Sequence, residues 1–247
     1  MSWKRFQVAF DVHGDMQDRD AVRVFHKFAE QHWKPHVRII GGDLFDFRCI
    51  RNGASPEEQA DSVTADYQAG MEFLRRFKPH FYLRGNHCER LWEWAARTQG
   101  NAMVIDYCMM GVREIEKDLR AMGCSMLPYD KRAGVLRLGA LHVVHGFRSG
   151  LTAAKMTCMD YGAPTLMGHI HAVDRWSAPG LDRRAGWASG ALCQLDMPYN
   201  ARQANSLRHS NGFAYGAYND KTGKFWVNLA ECIDGEWFLT EKPVILK

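Results

Sequence analysis

Five short segments of this 247-residue chain gather carboxylate, amide and imidazole groups: Asp11-Val12-His13, Gly42-Asp43-Leu44-Phe45-Asp46, Gly85-Asn86-His87, His145-Gly146 and Gly168-His169-Ile170-His171. Each follows an apolar run that reads as a strand, so all five can converge along one sheet edge. Two divalent ions about 3.5–4 Å apart need roughly four protein ligands each, at least one of them shared, with positions left open for water and substrate oxygens. The inventory matches. Asp11 and His13 stand two apart just after a strand and can turn toward one ion. Asp43 can be shared, because a carboxylate has two oxygens and the charge to offset two cations. Asn86 offers a neutral carbonyl, and His145, His169 and His171 offer imidazoles. Oxygen and imidazole ligands together suit Mn, Fe, Zn or Ni better than Ca or Mg, and Mn is the metal expected here. The chemistry such a set performs is metal-assisted phosphate ester hydrolysis.

The elements that must position these groups are legible in the apolar pattern. Residues 6–10 and 37–40 read as buried strands, with Val22, Val24, Phe25, Phe28 and Ala29 at helical spacing between them, which makes a β-α-β unit. Residues 56–77 read as one long helix started by Ser55-Pro56-Glu57-Glu58, residues 80–83 as a third strand, and residues 89–97 and 112–122 as helices. Residues 135–138 and 141–144, separated by Gly139-Ala140, read as a hairpin, followed by a helix over 152–161 and a strand over 165–167. The later segments 213–218, 225–229 and 237–239 are expected to form a second, antiparallel sheet. Glycines 42, 85, 146 and 168 fit the tight turns that bring ligands close.

Hydrophobic residues make up 46% and charged residues 24%, as expected of a chain that buries a large core, and no linker divides it; residues 1–247 are read as one domain. Seven cysteines at irregular spacing, with no CxxC pair, read as thiols of a reducing compartment. With no long apolar signal core and no run of membrane-spanning length, the expected location is the cytoplasm, away from any membrane. The net charge of +4 tolerates anionic substrates without demanding nucleic acid, since the Lys and Arg residues are scattered. His26, His32, His36, His80, His142 and His209 read as surface or core histidines, Cys88 as a packing residue, and the polar segment 200–211, with Arg202, Arg208 and His209, as a solvated loop.

In order and composition the five segments resemble the calcineurin-like metallophosphoesterase superfamily, whose pattern is D-x-H, G-D-x-x-D, G-N-H, H-G and G-H-x-H. The resemblance implies an α/β fold, a four-layer α/β/β/α sandwich of two mixed sheets flanked by helices. Carried over, it places one metal on Asp11, His13, Asp43 and His171 and the other on Asp43, Asn86, His145 and His169. His87 becomes the general acid for the leaving group, oriented by Asp46, while a hydroxide bridging the metals attacks phosphorus in line. Arg48 and Arg84 flank two motif loops and are candidates for binding the substrate phosphate.

The same metal cage serves monoesters, diesters and pyrophosphates, so substrate class rests on departures from subfamily patterns. Where protein Ser/Thr phosphatases carry G-D-x-V-D-R-G and R-G-N-H-E, this chain has Phe47 and Cys88 at the first Arg and the Glu. The loop Asn86-His87-Cys88-Glu89-Arg90 looks most like small phage and bacterial phosphoesterases described as nuclease-like. A phosphodiesterase, with nucleic acid as a candidate substrate, is the expected activity. A phosphomonoesterase such as a protein phosphatase and a non-catalytic metal-bound scaffold are the alternatives.

Overall fold

The fold is that of a computed structural model, which describes residues 3–181, 184–196 and 208–239. The first sheet is built on strands β1 (Lys4–Ala9), β2 (Val37–Ile40), β3 (Phe81–Leu83) and β4 (Ser125–Leu127), all parallel. Helix α1 (Arg19–Lys27) joins β1 to β2; α2 (Pro56–Ala60) and α3 (Val63–Phe77) join β2 to β3; α4 (Asn86–Ala95) and α5 (Ala102–Ala121) join β3 to β4. The second sheet comprises β5 (Leu136–Leu138), β6 (Leu141–Val143), β7 (Thr165–Met167), β8 (Asp174–Ser177) and β9 (Ala185–Ala188), in the order β5-β6-β7-β9-β8, with α6 (Ala153–Tyr161) ahead of β7.

Three C-terminal strands, β10 (Gly212–Tyr218), β11 (Phe225–Ile233) and β12 (Glu236–Phe238), were expected to make a second sheet of their own. They instead complete the first, in the order β12-β11-β10-β1-β2-β3-β4. The reason is burial: all seven residues of β10 are buried, which demands cover on both faces and a place inside a sheet, and β10 pairs antiparallel with both β1 and β11.

Side-chain alternation sorts the layers. Phe6, Val8 and Phe10 point between the sheets, where they meet Val37, Ile39, Leu141, Val143, Leu166 and Trp187. Ala9, Ile40, Tyr82, Phe213 and Tyr215 point the other way, into a core with Phe25, Phe28, Met71, Leu74 and Phe77 of the helical layer. On the outer face of the second sheet, Ala153 and Ala154 of α6 pack on Val144, Met167 and Ala188. The result is helix, sheet, sheet, helix, the α/β/β/α sandwich expected. Each fully buried large apolar side chain contributes about 1.5–3 kcal/mol.

Two helical expectations are corrected. The single helix over 56–77 is two, because Ser62 breaks it: its side chain accepts Ala65 N–H at 3.1 Å and starts α3, while Asp61 turns extended. The helix expected from residue 112 begins ten residues earlier, capped by Asn101, whose side chain accepts Met103 N–H at 3.0 Å. None of the seven cysteines forms a disulfide. Among the described residues, no helix is long and apolar enough to cross a membrane.

Candidate metal centre

The parallel strands β1, β2 and β3 of one sheet and β6 and β7 of the other all end at one edge of the sandwich. Their C-terminal loops carry Asp11 and His13, Asp43, Asn86 and His87, His145, and His169 and His171 respectively. Backbone bonds tie the loops together. Val12 N–H and His13 N–H both donate to Asp43 O at 2.9 Å, Gly14 N–H donates to Leu44 O at 2.8 Å, and Gly168 N–H donates to His145 O at 3.0 Å. Asp11, His13, Asp43, His169 and His171 all have φ between 47° and 72°. That conformation costs a non-glycine residue about 1–3 kcal/mol and persists only where neighbours enforce it.

The candidate ligands meet in two groups that share Asp43. Asp11, His13 and Asp43 bring ligand atoms within 4.8 Å of one another, as do Asp43, His145 and His169. His171 joins the first group, its Nε2 lying 3.2 Å from His13 Nε2 and 3.6 Å from Asp11 Oδ1. Asn86 joins the second, its Oδ1 lying 3.1 Å from His145 Nε2 and 2.8 Å from His169 Nδ1. The two groupings have the composition of the two ligand sets that the resemblance implies.

The outward-facing ring nitrogens are held. His13 Nδ1 donates to Asp46 Oδ2 at 2.9 Å and His145 Nδ1 donates to Gly41 O at 3.2 Å, which turns both Nε2 atoms inward. Asp43 Oδ1 accepts His87 N–H at 2.8 Å and Cys88 N–H at 3.3 Å, so it caps α4 in place of Gly85, which has no side chain to do so. A Cβ on Gly85 would stand 2.1 Å from that same oxygen, so glycine is required for the approach.

The residues fit a pair of cations. Asp11 Oδ1 is fully buried with no hydrogen-bond partner, while the Nε2 atoms of His171, His13 and His145 stand 3.6, 4.0 and 4.0 Å from it. Facing imidazole nitrogens and an unmatched carboxylate oxygen are what a cation reconciles. Burial alone would raise the carboxylates, but the surrounding imidazoles, His171 foremost, bring Asp11 down to about 2, and His145 foremost holds Asp43 well below the usual range. Burial pushes His169 down to about 4, helped by His145, leaving a neutral imidazole able to ligate.

Asp46 is the hub beside the ligands. One oxygen accepts from His13; the other accepts from His87 Nδ1 at 3.2 Å and from Arg90 Nη1 at 3.1 Å, and Arg90 Nη1 also donates to Asp46 O at 2.9 Å. Beneath it, buried Asp66 accepts Asp46 N–H at 3.1 Å and Phe47 N–H at 2.5 Å, fixing the turn. Burial lowers His87, and the nearby Asp43 and Asp46 carboxylates oppose that only in part, so Asp46 does not by itself hold the ring as imidazolium.

Arg48 and Arg84 do not present open guanidinium groups. Arg48 donates to both oxygens of Asp15 at 2.7 and 2.9 Å and to Asp61 at 2.5 Å, and Arg84 pairs with Glu89 at 3.2 Å and lies 5.0 Å over the Trp92 ring. Both are 13% exposed and act as loop clamps. Sequence reasoning missed Arg90, Asp66, Cys193 (Sγ 3.8 Å from His171 Nδ1) and His209, whose ring lies 5.2 Å from that of His171. Arg90 alone had a signal, one helical turn after His87. Of the segment 200–211, Arg202 lies outside the described residues.

The family model for calcineurin-like phosphoesterases matches residues 11–166. The chain belongs to that family. The matched span begins on Asp11 and stops short of His169 and His171, so the placement of those two calcineurin-like motif histidines rests on the geometry above. Among solved structures, a Vps29 double mutant from Entamoeba histolytica is similar at 10% identity and a TM-score of 0.46, over 95% of this chain and 96% of that one. No curated protein matches the chain.

Proposed function

We propose that this chain is a dinuclear metal-dependent phosphodiesterase of nuclease-like type. Asp11, His13, Asp43 and His171 would hold one divalent ion and Asp43, Asn86, His145 and His169 the other; the ligand mixture suits Mn, Fe, Zn or Ni, of which Mn is the one proposed. Such ions supply Lewis acidity to the phosphoryl oxygens and lower the pKa of water. His87, with Nδ1 given to Asp46, passes a proton from Nε2 to the leaving oxygen. Burial against the two carboxylates sets its affinity between holding and releasing that proton. Asp46 and Arg90 keep the ring in line. That an acid and its orienter are intact supports catalysis over a metal-bound scaffold. The absence of disulfides supports a cytoplasmic, reducing location.

One observation favours diesters. The space of about 130 Å³ beside His87 is lined by Asp46, Arg48, Arg51, Glu58 and Arg90, and each of its arginines is already paired with a carboxylate. The positions at which protein phosphatases carry Arg and Glu hold Phe47 and Cys88, both buried. No unpaired cation there awaits the second charge of a monoester dianion; a diester carries a single charge per phosphate. The test compares a bis-aryl phosphate diester with an aryl monoester on metal-stripped protein resupplied with Mn. Faster diester cleavage is expected, and exclusive monoester cleavage overturns the reading. His87→Ala should keep both ions yet lose about 10²–10⁴-fold in rate on a poor leaving group.

A further inference from the structure

Next to the other half of the centre, the turn after β4, the β5–β6 hairpin and the end of α6 enclose a cavity of about 410 Å³. Lys131, Arg132 and Arg137 line it, and among the described residues no carboxylate stands within ion-pair distance of any of the three. The acids nearby are engaged: Asp160 is held by Arg148 at 2.7 and 2.9 Å, and Asp130 accepts the N–H groups of Arg132 and Ala133, both at 2.7 Å. The walls also bury polar atoms without partners, namely Thr157 Oγ1, on a side chain 2% exposed, Tyr161 Oη and His142 Nδ1. A buried polar group without a partner is destabilising until a ligand or water meets it. The lining sets four exposed cations, Lys131, Arg132, Arg137 and Arg148, against the single carboxylate of Asp160, and an excess of positive charge beside hydroxyls that can donate describes an anion site.

The cavity communicates with the metal centre through two aromatic rings. Phe147 lines it and stacks on Tyr129, with centroids 4.3 Å apart and planes at 18°; the Tyr129 ring lies 5.8 Å from that of His145, and its hydroxyl donates to Gly146 O at 3.0 Å. Both rings are half-buried, and Lys131 Nζ sits 5.7 Å from the Phe147 centroid. Cations that track a backbone, interleaved with aromatic faces, form the platform on which single strands bind.

From this juxtaposition we infer that the cavity is a subsite for single-stranded nucleic acid. It takes the nucleotide that flanks the scissile diester, its phosphate on Lys131, Arg132 and Arg137 and its base against the Tyr129–Phe147 pair. The assignment rests on the diesterase reading and extends it to a polymeric substrate. A space of this volume admits one nucleotide unit and not a duplex.

The experiment compares the Lys131→Ala/Arg132→Ala/Arg137→Ala triple with a charge-matched triple on α5, Arg113→Ala/Lys117→Ala/Arg120→Ala, in the other outer layer. The probe is a labelled single-stranded oligonucleotide with phosphorothioate linkages that resist cleavage, read by fluorescence anisotropy on Mn-loaded protein over a salt series. The cavity triple should raise Kd at least about tenfold and flatten the slope of log K against log salt by about 0.7, the value for one lost phosphate contact in single strands. Its kcat/KM on the bis-aryl diester should stay within about twofold of wild type, and the α5 triple should leave Kd within about the same margin. Unchanged oligonucleotide binding in the cavity triple, or an equal loss in the α5 triple, overturns the subsite. A wild-type protein that binds the strand through these residues but cleaves only monoesters upholds the subsite and overturns the diesterase reading.

Discussion

The two sheets contribute unequally to the one centre they share. The seven-stranded sheet supplies every carboxylate, Asp11, Asp43 and Asp46, together with Asn86, His13 and the proposed acid His87; the five-stranded sheet supplies only the imidazoles of His145, His169 and His171. The negative charge of the proposed metal centre therefore belongs to one sheet, while the other adds only imidazoles to it. Lys131, Arg132 and Arg137 of the basic cavity stand on the imidazole side, away from the carboxylates of the centre. On the proposed reading, a site divided in this way would keep the groups that retain metal and those that attract substrate on separate supports.

The largest effect expected from breaking that division is at Asp43. Asp43→Asn should lose both ions and about 10⁴-fold or more in rate, whereas His169→Ala, across the sheet boundary, should keep one ion; metal analysis of the two purified variants decides, and equal metal contents would erase the contrast. A smaller effect is expected at Arg90→Met, which removes the cation from Asp46 but leaves every ligand in place. Rate should fall about 10–100-fold with two ions still bound, and the pH optimum should move, because Asp46, the partner of His87, loses the cation that fixes it. Loss of metal in this variant would make Arg90 part of the cage's support instead.

The smallest effect tests whether buried charge makes the seven-stranded side acid-sensitive through the centre alone. His26, on α1, is buried with its ring 4.8 Å from that of Phe73, and burial, reinforced by Arg76 and opposed by Glu30, pushes it down to about 4. A depressed folded-state pKa means stability present above about 6.5 and lost as pH falls through about 4. His26→Phe should flatten the fall in stability between pH 7 and 4 by about 1–3 kcal/mol in denaturant titrations. An unchanged pH profile would assign the acid sensitivity to the carboxylates of the centre.

The ligand loops were legible because polar, metal-binding residue types there interrupt apolar strands at their ends, a local signal that needs no knowledge of partners. The strands that end at ligand loops followed from the same patterning and the four layers from the resemblance, while β4, β8 and β9 were not read and two helices were misbounded. Sheet membership was not legible: the alternation in residues 213–218 announces a strand, but only β1, more than 200 residues away, says which sheet it joins. The supporting residues were hidden for a related reason. Asp66 and Arg90 act on Asp46 across 20 and 44 residues, and Arg48 is clamped by Asp15 and Asp61, so charge and position alone suggested substrate contact where the fold uses ion pairs. The cap signals at Ser62 and Asn101 were readable, and weighing them would have corrected both helices.

The place of β10 between β1 and β11 has a consequence for the order of synthesis. Asp11 and His13 sit at the end of β1, and β1 gains its second neighbour only when residues 212–218 have emerged and inserted. Asp11 Oδ2, in turn, accepts His169 N–H at 2.8 Å, a contact spanning 158 residues. A nascent chain that has made only its first strands and helices therefore displays Asp11, His13, Asp43 and Asn86 without His145, His169 and His171, and both ligand groups are completed only when β6 and β7 have formed. Ions held as proposed would then bind the finished chain best and stabilise the complete fold over every partial one.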